Sequence, residues 1–194
     1  MTSCEQNKDI VVKFPTGFDK EKALSYRPDL SQYELIPWNI KKNEKAIKNH
    51  ALFDTLHKDG ALELYEAYRH KENQEIVVLL KFGNKINGYP GLLHGGISAL
   101  VIDNSYGMLF MSLRLPPAFT ANLDINYRKP IHEGSFCILR AKVNSIHGRK
   151  LRMSATIEDA ETGVLQVEST TLFINMRLSN FQQFMHLVQK YLNL

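Results

Sequence analysis

Apolar positions along this chain change their spacing several times, and each change marks a new element. Residues 1–40 show weak periodicity and are broken by Pro15, Gly17, Pro28 and Pro37, which predicts an extension rather than part of the core. Over residues 43–57, Ile47, Ala51 and Asp54–Thr55 recur at helical spacing, so a short helix is expected there. From Gly60 onward, Leu62 and Leu64 alternate with Glu63 and Glu66. A turn-like Lys71-Glu72-Asn73 follows, and then the short β-branched run Glu75–Phe82. The first run suits a helix by composition, but the turn ahead of the second favours a hairpin.

Residues 83–91 hold three glycines and a proline and read as a loop. Gly95 through Met111 is apolar nearly all round and free of proline, the pattern of a helix buried inside the protein. Pro116-Pro117 forbids its continuation. Beyond it the period becomes that of strands. Over Thr120–Arg128, Leu123, Ile125 and Tyr127 fall on one face and Asn122, Asp124, Asn126 and Arg128 on the other. Phe136–Ile146, Leu151–Glu158 and Leu165–Met176 follow, separated by short turns, and the four runs predict an antiparallel meander. Ser179 then has the character of an N-cap, with Phe181, Phe184, Met185, Val188 and Leu192 as a helical stripe. The expected organisation is a partly helical extension over 1–58, a domain over 59–178 and an amphipathic helix over 179–194. The class is α+β, about six antiparallel strands curved around one long buried helix.

Composition changes little in this picture. The 194 residues are 44% apolar and 23% charged, ordinary for a globular domain able to bury a sizeable core. The net charge of +4 is spread among 20 acids, which argues against a nucleic-acid partner but suits attraction of an anionic ligand. Cys4 and Cys137 give no disulfide framework. His50, His57, His70, His132, His147 and His186 show no metal-ligand spacing, so no metal and no cofactor are expected. No apolar run is long enough to span a bilayer. Glu5, Asp9, Asp19 and Glu21, with no Arg before Arg27, argue against a secretory or mitochondrial leader and favour a cytoplasmic setting.

Asp103 is the anomaly. It sits mid-helix between Ile102 and Asn104, where an ionised carboxylate must be hydrogen-bonded, paired or functional. An ordinary contact with solvent or at an interface is the competing reading. His94-Gly95-Gly96 opens the same helix. Glycines there let a ligand approach the backbone, and the free N–H groups of the first turn favour a negative oxygen, as an oxyanion hole requires. Close helix–sheet packing would equally use two glycines. Gly95 and Asp103 are eight positions apart, about 12 Å along a helix. If both are catalytic, they act from two chains, as two antiparallel helices across a two-fold axis would allow.

The stretch G-L-L-H-G-G-I-S-A-L-V-I-D, followed by F-T-A-N-L-D-I-N-Y-R-K-P-I and H-G-R-K-L, resembles the hot-dog-fold acyl-CoA thioesterases. It is similar to their phenylacetate-pathway-like branch, and within it to the animal mitochondrial long-chain type. The resemblance covers about residues 60–176. It implies a hot-dog fold and hydrolysis of medium- or long-chain acyl-CoA. Asp103 would be general base or nucleophile, and the Gly95 N–H would polarise the thioester carbonyl. His94 would orient the site, and Thr120 would place the attacking water. Asn87, in the loop before the glycines, is implied to bind substrate together with Gly96 and Asn122. Arg128, Lys129, Arg149 and Lys150 are candidates for the coenzyme A phosphates, with a merely solvated rim as the plain alternative. The resemblance also implies a homodimer, able to pair into a homotetramer, and offers the mitochondrion as an alternative compartment.

Three rival readings are weighed. An α/β-hydrolase also uses an HGG oxyanion motif, but the chain lacks the G-x-S-x-G elbow, Gly96-Ile97-Ser98 continuing as Ala99-Leu100. A hot-dog hydratase would need a catalytic His on a different loop. A hot-dog protein that binds acyl-CoA without turnover is the stronger rival, since fold does not fix function.

Overall fold

The run Glu75–Phe82 is apolar without alternation because it becomes a central strand buried on both sides. In the computed structural model, which describes residues 29–36, 48–57 and 59–177, β2 (Leu62–His70) and β3 (Glu75–Phe82) form the expected hairpin. His70 Nδ1 accepts the N–H groups of Glu72 and Asn73 at 3.1 and 3.0 Å and closes the turn. Ile76, Val78, Leu80 and Phe82 enter the main core. Val77 and Leu79 join Leu64 and Ile138 in a smaller cluster covered by Leu30 and Tyr33.

The predicted loop at 83–91 folds tighter than expected, as two short strands, β4 (Asn87–Tyr89) and β5 (Leu92–Leu93). They turn at Pro90-Gly91, where Gly91 has φ +78° and so tolerates the left-handed backbone. Helix α1 runs from Gly95 to Ser112, close to the expected range. Strands β6 (Ala118–Tyr127), β7 (Phe136–His147), β8 (Lys150–Asp159) and β9 (Leu165–Asn175) complete the sheet.

Two features depart from the sequence reading. β1 (Tyr33–Leu35) arises inside the expected extension and adds a seventh strand, pairing Tyr33 with His70. The four late strands are also not one meander. The sheet order is β1-β2-β3-β7-β8-β9-β6, with every neighbouring pair antiparallel. β3 already occupies one edge of β7, with Leu79 opposite Ile138, so β6 takes the open edge of β9. Residues 128–135 carry the chain back, with Ile131 buried and His132 bridging to Leu92.

The sheet curves around α1, as in the hot-dog fold. Val101, Ile102, Tyr106 and Leu109 are fully buried against it, each contributing about 1.5–3 kcal/mol of apolar burial. Burial is not all-round within this chain. Gly96 and Met111 are exposed, and Ala99, Leu100, Asp103 and Gly107 are half-buried, so one side of the helix is left open. Of the helix expected over 43–57, the described residues hold a π-helical turn at Ala51–Leu56. The helix expected over 179–194 lies outside the described residues.

Candidate active site

The start of α1 is held by its own sequence. His94 is the N-cap in extended conformation (φ −66°, ψ 129°), and its Nδ1 accepts the Gly96 N–H at 2.9 Å. Because Nδ1 accepts, the imidazole proton of the neutral ring lies on Nε2. A Cβ on Gly96 would sit 3.0 Å from that nitrogen, and one on Gly88 would sit 3.2 Å from His94 Cα, so a side chain at either position would force His94 to shift by a few tenths of an ångström. With Gly96 occupied, the Gly95 N–H is the remaining donor of the pair, and no acceptor for it is seen among the described residues. That narrows the oxyanion reading from two glycines to one, and gives Gly96 a structural contact instead.

About two turns further on, Asp103 is half-buried on the open side of the helix, and its Oδ1 accepts the Thr120 hydroxyl at 2.8 Å. A β-bulge beside Thr120 absorbs one extra residue. β6 pairs Thr120 with Phe173 and Asn122 with Leu172, leaving Ala121 as the extra residue. Thr120 therefore shares the helix-facing side with Leu123, Ile125 and Tyr127, whose partners are Thr171, Ser169 and Val167. The same register turns Asn122 to the outer, exposed side of the sheet, away from the Asp103 carboxylate.

A cavity of about 380 Å³ opens at the first turn of α1. His94, Gly95 and Ser98 form part of its wall, with the β4–β5 hairpin, Tyr127, and the segment Arg128–Ile131 around them. Asp103 and Thr120 are not among its walls. Asn87 is likewise not on it: its Nδ2 is bonded to Glu133, and its Oδ1 is buried without a partner among the described residues.

The four candidate cations fall into two groups. Arg128 and Lys129 border the cavity, and Arg128 is ion-paired to Glu168. Arg149 and Lys150 belong to the β7–β8 turn, where Arg149 Nε donates to the Asn175 carbonyl at 2.9 Å. Lys150 stands opposite Ile174, which on its other side pairs with Phe119 beside Thr120. One pair of cations thus lies at the Gly95 end of β6 and the other at the Asp103–Thr120 end.

Tyr127 is the site residue the sequence did not single out. Its hydroxyl donates to the Gly95 carbonyl at 3.0 Å, and its ring lies 3.2 Å from where a Gly95 Cβ would be. Its inward position was legible in the alternation with Leu123 and Ile125; its partner was not. Tyr106, one turn after Asp103, is buried and bonded to Ser169, and burial, with the nearby Asp103 charge adding to it, pushes its phenol up to about 12. Burial also pushes the Cys137 thiol up to about 12, which makes it a poor nucleophile. His50, His57 and His70 serve backbone contacts, and no cluster of metal-ligating side chains occurs among the described residues.

The helix, its capping histidine and the last four strands of the sheet lie within one family match: residues 90–180 fit the Thioesterase superfamily. The chain carries a thioesterase-superfamily domain. The chain is 33% identical over 145 residues to the acyl-coenzyme A thioesterase THEM4 of Rattus norvegicus, a match covering 75% of this chain and 62% of that protein. This chain therefore spans less than two thirds of that relative's length. A mitochondrial membrane protein of Saccharomyces cerevisiae, FMP10, is 27% identical over 176 residues, 87% of this chain and 69% of its own. The zebrafish thioesterase superfamily member 2 superposes with a TM-score of 0.56 at 20% identity, over 70% of this chain and 97% of that one, and so shares the fold of the thioesterase domain.

Proposed function

We propose that this protein is an acyl-CoA thioesterase whose active site is shared between two subunits. The observation that carries the reading is the Asp103 carboxylate receiving the Thr120 hydroxyl at 2.8 Å on the open side of α1. An in-helix carboxylate with an inward-aimed hydroxyl is the pair needed to hold and deprotonate a water. The relative named as an acyl-coenzyme A thioesterase supports the substrate class.

In this scheme the carbonyl oxygen of the thioester sits at the Gly95 N–H, where the helix dipole and the free donor favour developing negative charge. Asp103 of the other subunit takes a proton from the water held by Thr120, and the resulting hydroxide adds to the carbonyl carbon. The C–S bond then breaks, and the departing thiolate of coenzyme A takes up the proton. Direct attack by the carboxylate, giving an anhydride that water then hydrolyses, uses the same groups.

Two features favour pairing of subunits. The eight-residue separation of Gly95 and Asp103 on one helix corresponds to about 12 Å. Gly96, Asp103, Gly107 and Met111 recur at helical spacing along the incompletely covered side of α1, where small residues allow close approach of a second helix. A two-fold axis there would bring Gly95, Arg128 and Lys129 of one subunit towards Asp103, Thr120, Arg149 and Lys150 of the other. The cations would then flank the site as partners for the coenzyme A phosphates. A tetramer of two such dimers is the next level. The apolar part of the cavity, at Leu92, Leu93, Ile131 and Val167, suits a medium or long acyl chain. The yeast relative's description favours the mitochondrial alternative for the compartment.

Purified wild type is expected to release free thiol from palmitoyl-CoA, and Asp103→Asn to lose at least about 10²-fold in kcat. Equal rates for the two proteins would contradict the assignment. Tight binding of acyl-CoA with no thiol release by the wild type would instead favour the non-catalytic reading.

A further inference from the structure

A glycine pair at the start of a helix has more backbone freedom than any other pair of residues. An oxyanion donor, however, works only when it points steadily at the place where charge develops. The structure supplies restraints on both peptide planes around Gly95. The plane carrying the Gly95 N–H has its carbonyl, on His94, accepting from the Ile97 N–H at 2.9 Å. The next plane is held at both ends by side chains. Its N–H, on Gly96, donates to His94 Nδ1 at 2.9 Å, and its carbonyl, on Gly95, accepts from the Tyr127 hydroxyl at 3.0 Å.

Tyr127 also fills the space a side chain would take. Its ring atoms Cε1 and Cζ lie 3.2 and 3.3 Å from the position of a Cβ on Gly95, and so pack directly on that Cα. Its place follows from β6: Tyr127 stands opposite Val167 on the helix-facing side, at the last position of the strand.

We propose that Tyr127 is a positioning residue that, with His94, clamps the Gly95–Gly96 peptide and thereby aims the Gly95 N–H into the cavity at the first turn of α1. The proposal rests on the reading of Gly95 as the oxyanion donor and adds what keeps that donor in place. It assigns His94 and Tyr127 to one task, from opposite ends of a single peptide group.

Tyr127→Phe tests it, because the ring stays on Gly95 and only the hydroxyl is lost. With palmitoyl-CoA, kcat is expected to fall about 10- to 100-fold while KM stays within about two-fold and the melting temperature is nearly unchanged. The Gly96 amide should exchange its hydrogen faster than in the wild type, as followed by NMR. A kcat within two-fold of wild type, or a loss confined to KM, would overturn the proposal. Should the wild type itself release no thiol, the functional reading fails separately. Amide exchange then decides the clamp alone: faster exchange in Tyr127→Phe upholds it, and unchanged exchange overturns it.

Discussion

Two histidines cap helical starts in this protein, and they do so in the same way. His94 Nδ1 accepts the Gly96 N–H, and His50 Nδ1 accepts those of Leu52 and Phe53 at 3.2 and 3.3 Å. An imidazole can do this only while neutral, because protonation turns the acceptor into a donor. Burial holds the His50 imidazole below its ordinary value. The unfolded chain titrates this group near about 6.5. Its contribution to stability is therefore fully present above that pH and is lost as pH falls through the lower folded value. The melting temperature of the wild type should drop more between about pH 7 and pH 5 than that of His50→Asn, since asparagine caps without titrating. Parallel curves for the two proteins would remove His50 from the pH response. Such caps are hard to read in a sequence, because histidine is not a usual capping residue and its partner N–H groups belong to the backbone. Asp103, Gly95 and His94 stand out in the sequence for the opposite reason: a lone carboxylate in an apolar helix and a glycine pair at its start are anomalies of residue type.

The elements that were read correctly are long or bounded by clear turns. α1 is long and apolar, and β7, β8 and β9 run for ten or more residues each. β1 has three residues, too few for alternation to show, and its existence depends on a free edge at β2. The place of β6 was misread because strand order is set by which edges are still open, and β3 had closed one side of β7. The bulge at Ala121 was invisible for a related reason. Alternation from Leu123 to Tyr127 is regular, and only pairing with β9 reveals the extra residue before Asn122. That pairing makes a specific prediction. Deleting Ala121 should leave Thr120 opposite Phe173 and still facing Asp103, because the remaining residues then alternate without a break. The deletion variant should fold and keep kcat within about ten-fold of wild type. A loss as deep as that of Asp103→Asn would mean that the bulge itself aims Thr120.

At the scale of the whole molecule, the candidate site residues lie apart from one another. The oxyanion donor candidate faces the cavity, the carboxylate lies off it, and the four candidate cations divide between the two ends of β6. The sequence separated Gly95 from Asp103 through helix rise alone. It could not separate the cations, because the ends of β6 and of the β7–β8 turn come together only through the sheet. The proposed two-fold pairing of helices would remove each of these separations at once.

Co-expressing two differently tagged chains, one Asp103→Asn and the other Gly95→Pro, and purifying the doubly tagged dimer tests this claim most directly. Proline suits the first helical position and deletes the backbone N–H, and any shift it forces on the Tyr127 ring falls beside the donor it has already removed. A shared site predicts inactive homodimers of either variant, but a mixed dimer with about half the wild-type kcat, since one of its two sites is intact. A mixed dimer as inactive as its parents would contradict the account.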